Sequence, residues 1–285
     1  MAGAEAITGA QRAPEGALAA QDHAREELAA QDRAREHLAA LIREAGSVVA
    51  LTGAGISVPS GIPDFRSPGT GLWERMDPTE VAHIDAFRAD PARFWGFYGE
   101  RFASLIEKRP NGAHAVLAEL ERRGLLDGVI TQNVDMLHRR AGTRELVEVH
   151  GSIATSSCLV CGRTVALAAA RALIAAEPDG VPRCAECREP LKPDVVLFGE
   201  LLPQPAFARA RELCEGADVL LCVGSSLEVH PVAGLPLPTR ERGGAVAIVT
   251  QGPTPLDGIA AVRMRGDVVA ELEGVLGALD RPDPA

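Results

Sequence analysis

Five short apolar runs bounded by glycine or turn residues most constrain what this chain can fold into: SVVALTG (47–53), DGVITQ (127–132), LVEVHG (146–151), ADVLLCVG (217–224) and GAVAIVT (244–250). They lack the polar alternation of a half-solvated sheet, so they read as strands buried on both faces, as in a parallel sheet. Between several of them lie helical patterns such as AHAVLAELERRG (113–124) and PAFARARELCEG (205–216), each closed by a glycine at the expected C-terminal position. This alternation predicts an open α/β sheet with ligands at the carboxyl ends of its strands. At 285 residues and 46% hydrophobic, the chain can bury one large core, or one large and one small, without disulfides.

The stretch from about 154 to 192 interrupts that rhythm and reads as a small inserted module. It holds Cys158-Leu-Val-Cys161 and, after 22 residues, Cys184-Ala-Glu-Cys187. Each C-x-x-C forms a knuckle presenting two thiolates, and two knuckles complete the tetrahedral sulfur shell that Zn²⁺ accepts. The helical segment VALAAARALIAAE (165–177) fills the gap. A redox role is the alternative, but neither pair sits between a strand and a helix as in thioredoxin-like sites. Four sulfurs leave no open position, so the zinc is expected to be structural. Cys214 and Cys222 lie in apolar segments and read as small buried hydrophobes.

Residues 19–38 repeat a decad, AAQDHAREEL then AAQDRAREHL, without Gly or Pro, and should be helical. Heptad spacing is absent, so a lengthened surface helix is favoured over a coiled coil. The first fifteen or so residues are expected to be disordered on composition. The N-terminus lacks a secretory pattern and no run is long enough to span a membrane, which predicts a cytoplasmic protein with no membrane partner. A formal charge of −10 argues against nucleic-acid binding, which needs a surplus of Lys and Arg.

Thr52-Gly-Ala-Gly55-Ile-Ser57 follows the first strand, where glycines let a backbone approach a pyrophosphate closely. Val58 stands where the usual third glycine would be, and no ribose-binding acid follows at the usual distance. Taken alone, an ordinary glycine turn is as good a reading. The segment continues, however, through Pro59-Ser-Gly-Ile-Pro-Asp-Phe-Arg66. After it come Thr131-Gln-Asn-Val-Asp-Met-Leu-His-Arg-Arg-Ala-Gly142, His150-Gly151, the four cysteines, Pro193-Asp-Val-Val-Leu-Phe-Gly-Glu200 and Gly224-Ser-Ser-Leu-Glu-Val-His-Pro231. In this order the motifs resemble the sirtuin family, over about residues 35 to 280.

The resemblance implies a Rossmann-like open parallel sheet (about 35–65, 111–153 and 193–280) with a smaller domain. That domain comprises helices at about 66–110 and a zinc-ribbon module at 154–192, while residues 1–34 form an extension, partly disordered and then helical. It also implies an NAD-dependent protein-lysine deacylase, most simply a deacetylase, which passes the acyl group to ADP-ribose and releases nicotinamide. His150 falls at the position of the base that activates a ribose hydroxyl, a task suited to a neutral imidazole. A lone histidine at a strand end would otherwise be read as structural, and His138 is read as a packing or hydrogen-bonding residue.

Asn133 and Asp135 match the pair that organises the nicotinamide end, with Gln132 beside them. Further cofactor contacts are implied at Gly53, Ala54, Gly55, Ser57, Ile62, Asp64, Phe65, Arg66, Gly224, Ser225, Ser226, Thr250 and Val268, with Asp267 next to the last. Phe65 would shield the reactive ribose carbon from water. Thr250 departs from the family, which usually has Asn there, and a hydroxyl replaces only part of an amide's hydrogen bonding. Val195, Val196, Phe198 and Gly199 resemble the segment that takes the acyl-lysine peptide as an added strand.

Tyr98 and Arg101 form a Y-x-x-R at the place where sirtuins preferring succinyl- or malonyl-lysine resemble one another. A phenol and a guanidinium could bind a distal carboxylate. A packing Tyr with a surface Arg satisfies the same spacing. Protein mono-ADP-ribosyl transfer and a non-catalytic NAD- or zinc-bearing module are the remaining alternatives.

Overall fold

The structure is a computed structural model that describes residues 15–64 and 81–281. The expected disorder at the N-terminus and the positions Phe65 and Arg66 lie outside the described residues. Six strands form one parallel sheet: β1 (Val48–Thr52), β2 (Gly128–Thr131), β3 (Leu146–Glu148), β7 (Val219–Val223), β8 (Ala245–Val249) and β9 (Val262–Met264). Their order is β3-β2-β1-β7-β8-β9. Two three-strand halves thus wind outward from the β1/β7 pair, the doubly wound order of dinucleotide-binding folds.

The unbroken apolar runs arise because both faces of this sheet are covered. Along β1, Val48 and Ala50 face one core while Val49 and Leu51 face the other. The first core is closed by α1 (Glu15–Glu44), α4 (Gly112–Arg122) and α9 (Val268–Leu279), through residues such as Leu38, Leu117 and Leu272. The second is closed in part by α7 (Gln204–Gly216), whose Ala210, Leu213 and Cys214 pack under Leu51 and Leu220. Burial pushes the Cys214 thiol up to about 12 and raises Cys222 as well, so both stay protonated.

Helix α1 continues without a break from the repeated decads into the body, where Leu38, Ala39 and Ile42 are buried. Arg35 on α1 reaches Glu271 on α9 at 2.8 Å, and Glu271 is fully buried. Gly274 makes room for this pair, because a Cβ there would lie 2.6 Å from Arg35 Cδ.

A second sheet is antiparallel, in the order β5-β4-β6, from β4 (Gly151–Cys158), β5 (Thr164–Ala166) and β6 (Leu191–Val195). Helices α2 (Ile84–Ala89), α3 (Pro91–Glu107) and α6 (Leu167–Ala176) pack around it. The aromatic residues Phe87, Phe94, Trp95 and Phe102 meet Ile153, Val195 and Leu197 in that third core. Trp95 Nε1 donates to the Leu191 carbonyl at 2.9 Å, so the one polar atom of the buried indole is satisfied. Among the described residues no helix is long and apolar enough to cross a membrane.

Breaking a buried ion pair leaves an uncompensated charge, at a cost of about 3 kcal/mol. Arg35→Met should therefore lower the urea-unfolding free energy by about that amount. A loss below about 1 kcal/mol, the range of a surface pair, would show that α1 is not anchored through Glu271.

Candidate active site

The centre of the large sheet is where its two halves diverge, and there the turns after β1 and β7 interlock. Gly53 N donates to Val223 O at 3.0 Å, Gly55 N to Gly224 O at 2.8 Å, and Gly224 N to Val249 O at 2.8 Å. A Cβ on Gly55 would lie 2.7 Å from Gly224 O, and one on Gly224 would lie 2.2 Å from Ile56 N. Gly224 also has φ +61°, in the left-handed region that favours glycine. The two turns therefore cross backbone to backbone. This tight packing is turn against turn, which is why Val58, at the expected third glycine, can be exposed.

A polar cluster is fastened to this crossing. Asn133 Nδ2 donates to Gly53 O at 3.0 Å and lies 3.3 Å from Ser57 Oγ. Ser57 Oγ donates to Asp135 Oδ2 at 2.6 Å, and Asp135 Oδ1 accepts from Leu137 N at 2.9 Å. Asp135 is thus a buried carboxylate held on both oxygens, at the head of α5 (Leu137–Ala141). The next residue, Met136, takes φ +66°, a strained conformation of the kind that collects at functional sites. Gln132 Nε2 donates to Ser225 Oγ at 2.9 Å, tying the β2 end to the β7 turn.

His150 stands at the carboxyl end of β3, with Nδ1 3.1 Å from the Gln132 carbonyl. A carbonyl only accepts, so Nδ1 carries the hydrogen and Nε2 of the neutral ring keeps its lone pair. Burial pulls the imidazole below its usual 6.5, against the opposing pull of the Gln132 carbonyl, so the neutral form prevails near pH 7. Gly151 then turns the chain into the second sheet at φ +73°, where a Cβ would fall 2.0 Å from Asp194 O. The LVEVHG run is therefore two elements joined at His150.

The four cysteines converge. Their sulfurs all lie within 4.8 Å of one another, with Cys158–Cys187 at 3.4 Å, Cys161–Cys184 at 3.5 Å and Cys161–Cys187 at 3.8 Å. Zn–S bonds of about 2.3 Å in a tetrahedron require sulfur separations near 3.8 Å, whereas a disulfide requires about 2.05 Å. The spacing fits a metal. Backbone amides of Cys161 and Val160 lower the Cys158 thiol, and those of Cys187 and Glu186 bring Cys184 down to about 7. Against the Arg163 and Glu189 amides, the neighbouring sulfurs raise Cys161 and push Cys187 up to about 12, so the protein alone favours only two of the four thiolates a metal binds.

Comparison with known proteins gives this arrangement a family. Residues 53–231 match the model of the Sir2 family. The chain belongs to the Sir2 family. It is similar to the NAD-dependent protein deacetylase of Saccharolobus solfataricus, 42% identical over 80% of this chain and 90% of that protein. Among solved structures it is similar to a Sir2 with a p53 peptide and NAD⁺ (TM-score 0.79, 39% identity, 85% and 96% of the two chains). It also resembles a Sir2 bound to acetylated peptide (TM-score 0.79, 37% identity, 86% and 98%).

The remaining sequence-selected residues of this Sir2 chain distribute around the same edge. Ala54 lies in the 3-10 turn Ala54–Ser60, and Ile62 N closes back on Ser57 O at 3.4 Å, with Asp64 just beyond. Ser226 is half-buried beside Ser225. Thr250 N donates to Met264 O at 3.1 Å, which brings the β8 end beside the segment leading to α9. There Asp267 caps the helix through Val269 N and Ala270 N, and Val268 is buried in the first core. Val195 pairs with Gly151 and Val196 N donates to His150 O at 2.8 Å. Phe198, partly exposed, and Gly199 follow, with Phe198 N bonded to Ala82 O at 2.8 Å. Tyr98 lies between Phe94 (4.6 Å) and Phe102 (5.3 Å), while the Arg101 guanidinium sits 4.9 Å over Phe97.

Sequence reasoning read His138 as a packing or hydrogen-bonding residue but missed the rest of the buried layer it belongs to, beneath the cluster. Thr52 Oγ1 bonds Thr131 Oγ1 and His138 Nε2, both at 2.9 Å, and His138 lies 4.8 Å from the ring of His114. His114 in turn completes a capping box with Asn111, whose side chain holds Ile56 O at 2.8 Å. For His114 the sequence signal was Asn111 three residues before it at a helix start.

Burial lowers His114 to about 4 and His138 to about 3, so both are neutral in the fold. Unfolded histidines protonate near 6.5, so between that value and about 4 the unfolded chain binds more protons. Stability is then full above about pH 6.5 and falls as pH drops through this window. The melting temperature should decline from pH 6.5 to 5, before carboxylates titrate, and His114→Gln should decline less steeply. A flat profile there would contradict neutral burial.

Proposed function

We propose that this chain is an NAD-dependent protein-lysine deacetylase that passes the acyl group of an acyl-lysine protein or peptide to ADP-ribose and releases nicotinamide. The observation that carries the reading is the setting of His150, a half-buried neutral imidazole with Nε2 available as a base, beside Asn133 and Asp135 at the divergence of a doubly wound sheet. A cytoplasmic location belongs to the same reading, supported by six cysteines that form no disulfide.

NAD⁺, when bound, supplies an electrophilic ribose carbon as nicotinamide departs. The glycine crossing at Gly53, Gly55 and Gly224 presents bare backbone to its phosphates, with Ser225 and Ser226 alongside. Asn133 and Asp135 hold the nicotinamide end, and their own hydrogen bonds to Gly53 O and Ser57 fix their orientation before any ligand arrives. His150 Nε2 takes the proton of a ribose hydroxyl. The Gln132 carbonyl on Nδ1 holds the tautomer and steadies the imidazolium that results. Val195, Val196, Phe198 and Gly199 receive the peptide backbone. Cys158, Cys161, Cys184 and Cys187 would hold Zn²⁺ through four sulfurs, which would leave no position for substrate and make its role the bracing of the small sheet.

Acetyl is favoured over an acidic acyl group by the packing of the Y-x-x-R pair. The Tyr98 phenol is pushed up to about 12 by burial, its ring lies between two phenylalanines, and Arg101 is engaged over Phe97. Incubation with NAD⁺ and an acetyl-lysine peptide should yield nicotinamide and deacetylated peptide in equal amounts, and neither without peptide. Nicotinamide release that labels protein and leaves the acyl-lysine intact would indicate ADP-ribosyl transfer. The ratio of kcat/KM for acetyl- over succinyl-peptide should stay within about twofold in Arg101→Met. A rise of tenfold or more would move the assignment to an acidic acyl group.

A further inference from the structure

The segment that receives the peptide is closed by a buried cation. Lys192, on β6, is 6% exposed, and its Nζ has three acceptors: Val195 O at 2.8 Å, Pro193 O at 3.1 Å and Glu200 Oε2 at 3.0 Å. An ammonium has three hydrogens, so the set is complete. Glu200 Oε2 also accepts Leu197 N at 2.9 Å, so one ion pair spans the loop from Pro193 to Glu200. Val196 N, inside that loop, donates to the carbonyl of His150. The far side is fixed by Phe198, which bonds Ala82 O and Ile84 N. Gly199 turns the chain at φ +84° against His83, where a Cβ would lie 2.7 Å from the ring.

A lysine is among the residues least often buried, and a buried pair rarely improves on a well-packed apolar substitute, so stability gives it little purpose here. Two of its three acceptors are main-chain carbonyls, and one of these, Val195 O, belongs to the very segment the substrate would pair with. We infer that Lys192 and Glu200 are positioning residues that hold the segment from Val195 to the turn at Gly199 in the shape needed for an acyl-lysine peptide to add as a strand. The role is one of preorganisation: with the pair in place, the peptide does not have to order the loop when it binds. The inference rests on the deacetylase reading and concerns the peptide side of that site only.

The test is steady-state kinetics on the full chain with an acetyl-lysine peptide, varying peptide and NAD⁺ separately. Glu200→Gln keeps the shape and the acceptor for Leu197 N but removes the charge, and Lys192→Met keeps the stem. Both should raise KM for peptide about tenfold, with KM for NAD⁺ and kcat at saturating peptide within about twofold of wild type. Lys192→Arg, which retains charge and donors, should recover part of the loss. If Lys192→Met fails to fold, Glu200→Gln decides alone. Unchanged peptide KM, or a joint loss of kcat, NAD⁺ affinity and melting temperature, would overturn the inference. Wild-type protein without NAD⁺-dependent turnover would instead overturn the deacetylase reading, and this inference with it.

Discussion

The structure depends on the crossing of two glycine turns at the centre of the sheet. Gly55 and Gly224 approach to distances that a single methyl group would forbid, so β1 and β7 end in backbone rather than in side chains. The polar groups assigned to the reacting end of the cofactor are referred to that crossing. Asn133 is bonded to Gly53, Ser57 carries Asp135, and Gln132 links Ser225 to His150 through its side chain and carbonyl. The groups are anchored to main chain or to one another, which keeps them oriented without a ligand.

Beneath this layer lies a second constraint, a set of buried groups that must stay neutral. His114 and His138 are packed ring beside ring below Thr52 and Thr131, where a proton would find little solvent to stabilise it. His150 differs in kind: it is only half-buried and its Nε2 is not committed, so the burial that holds it neutral also leaves it able to accept a proton. The zinc knuckles stand apart from all of this. They fasten the end of the antiparallel sheet, whose other end, at Gly151 and Val195, abuts His150.

Much of the fold was legible in the sequence because the parallel sheet is covered on both sides, and that leaves unbroken apolar runs at β1, β2, β7 and β8. β9 escaped notice because three residues, Val262–Met264, carry no pattern. Gly124 closes α4 at φ +73°, while Gly216, expected to do the same for α7, is its last helical residue. The strands of the small sheet were invisible because β4 is largely polar: Thr155 and Ser157 bond Asp194 and Thr164, and a serine, Ser156, stands between Ile153 and Cys158 on the buried face. The zinc ligands were legible from spacing alone. The polar cluster was legible only as a resemblance, since nothing local in Ser57 or Asp135 announces that residues 78 apart share a hydrogen bond.

The central claim is that His150 acts as the base while the residues around it bind. The most direct measurement is His150→Ala in an assay of deacetylated peptide formed from acetyl-peptide, with NAD⁺ binding followed in parallel by calorimetry. The account predicts formation of deacetylated peptide lowered by about a thousandfold with NAD⁺ affinity within about threefold of wild type. Deacetylation at the wild-type rate would contradict it.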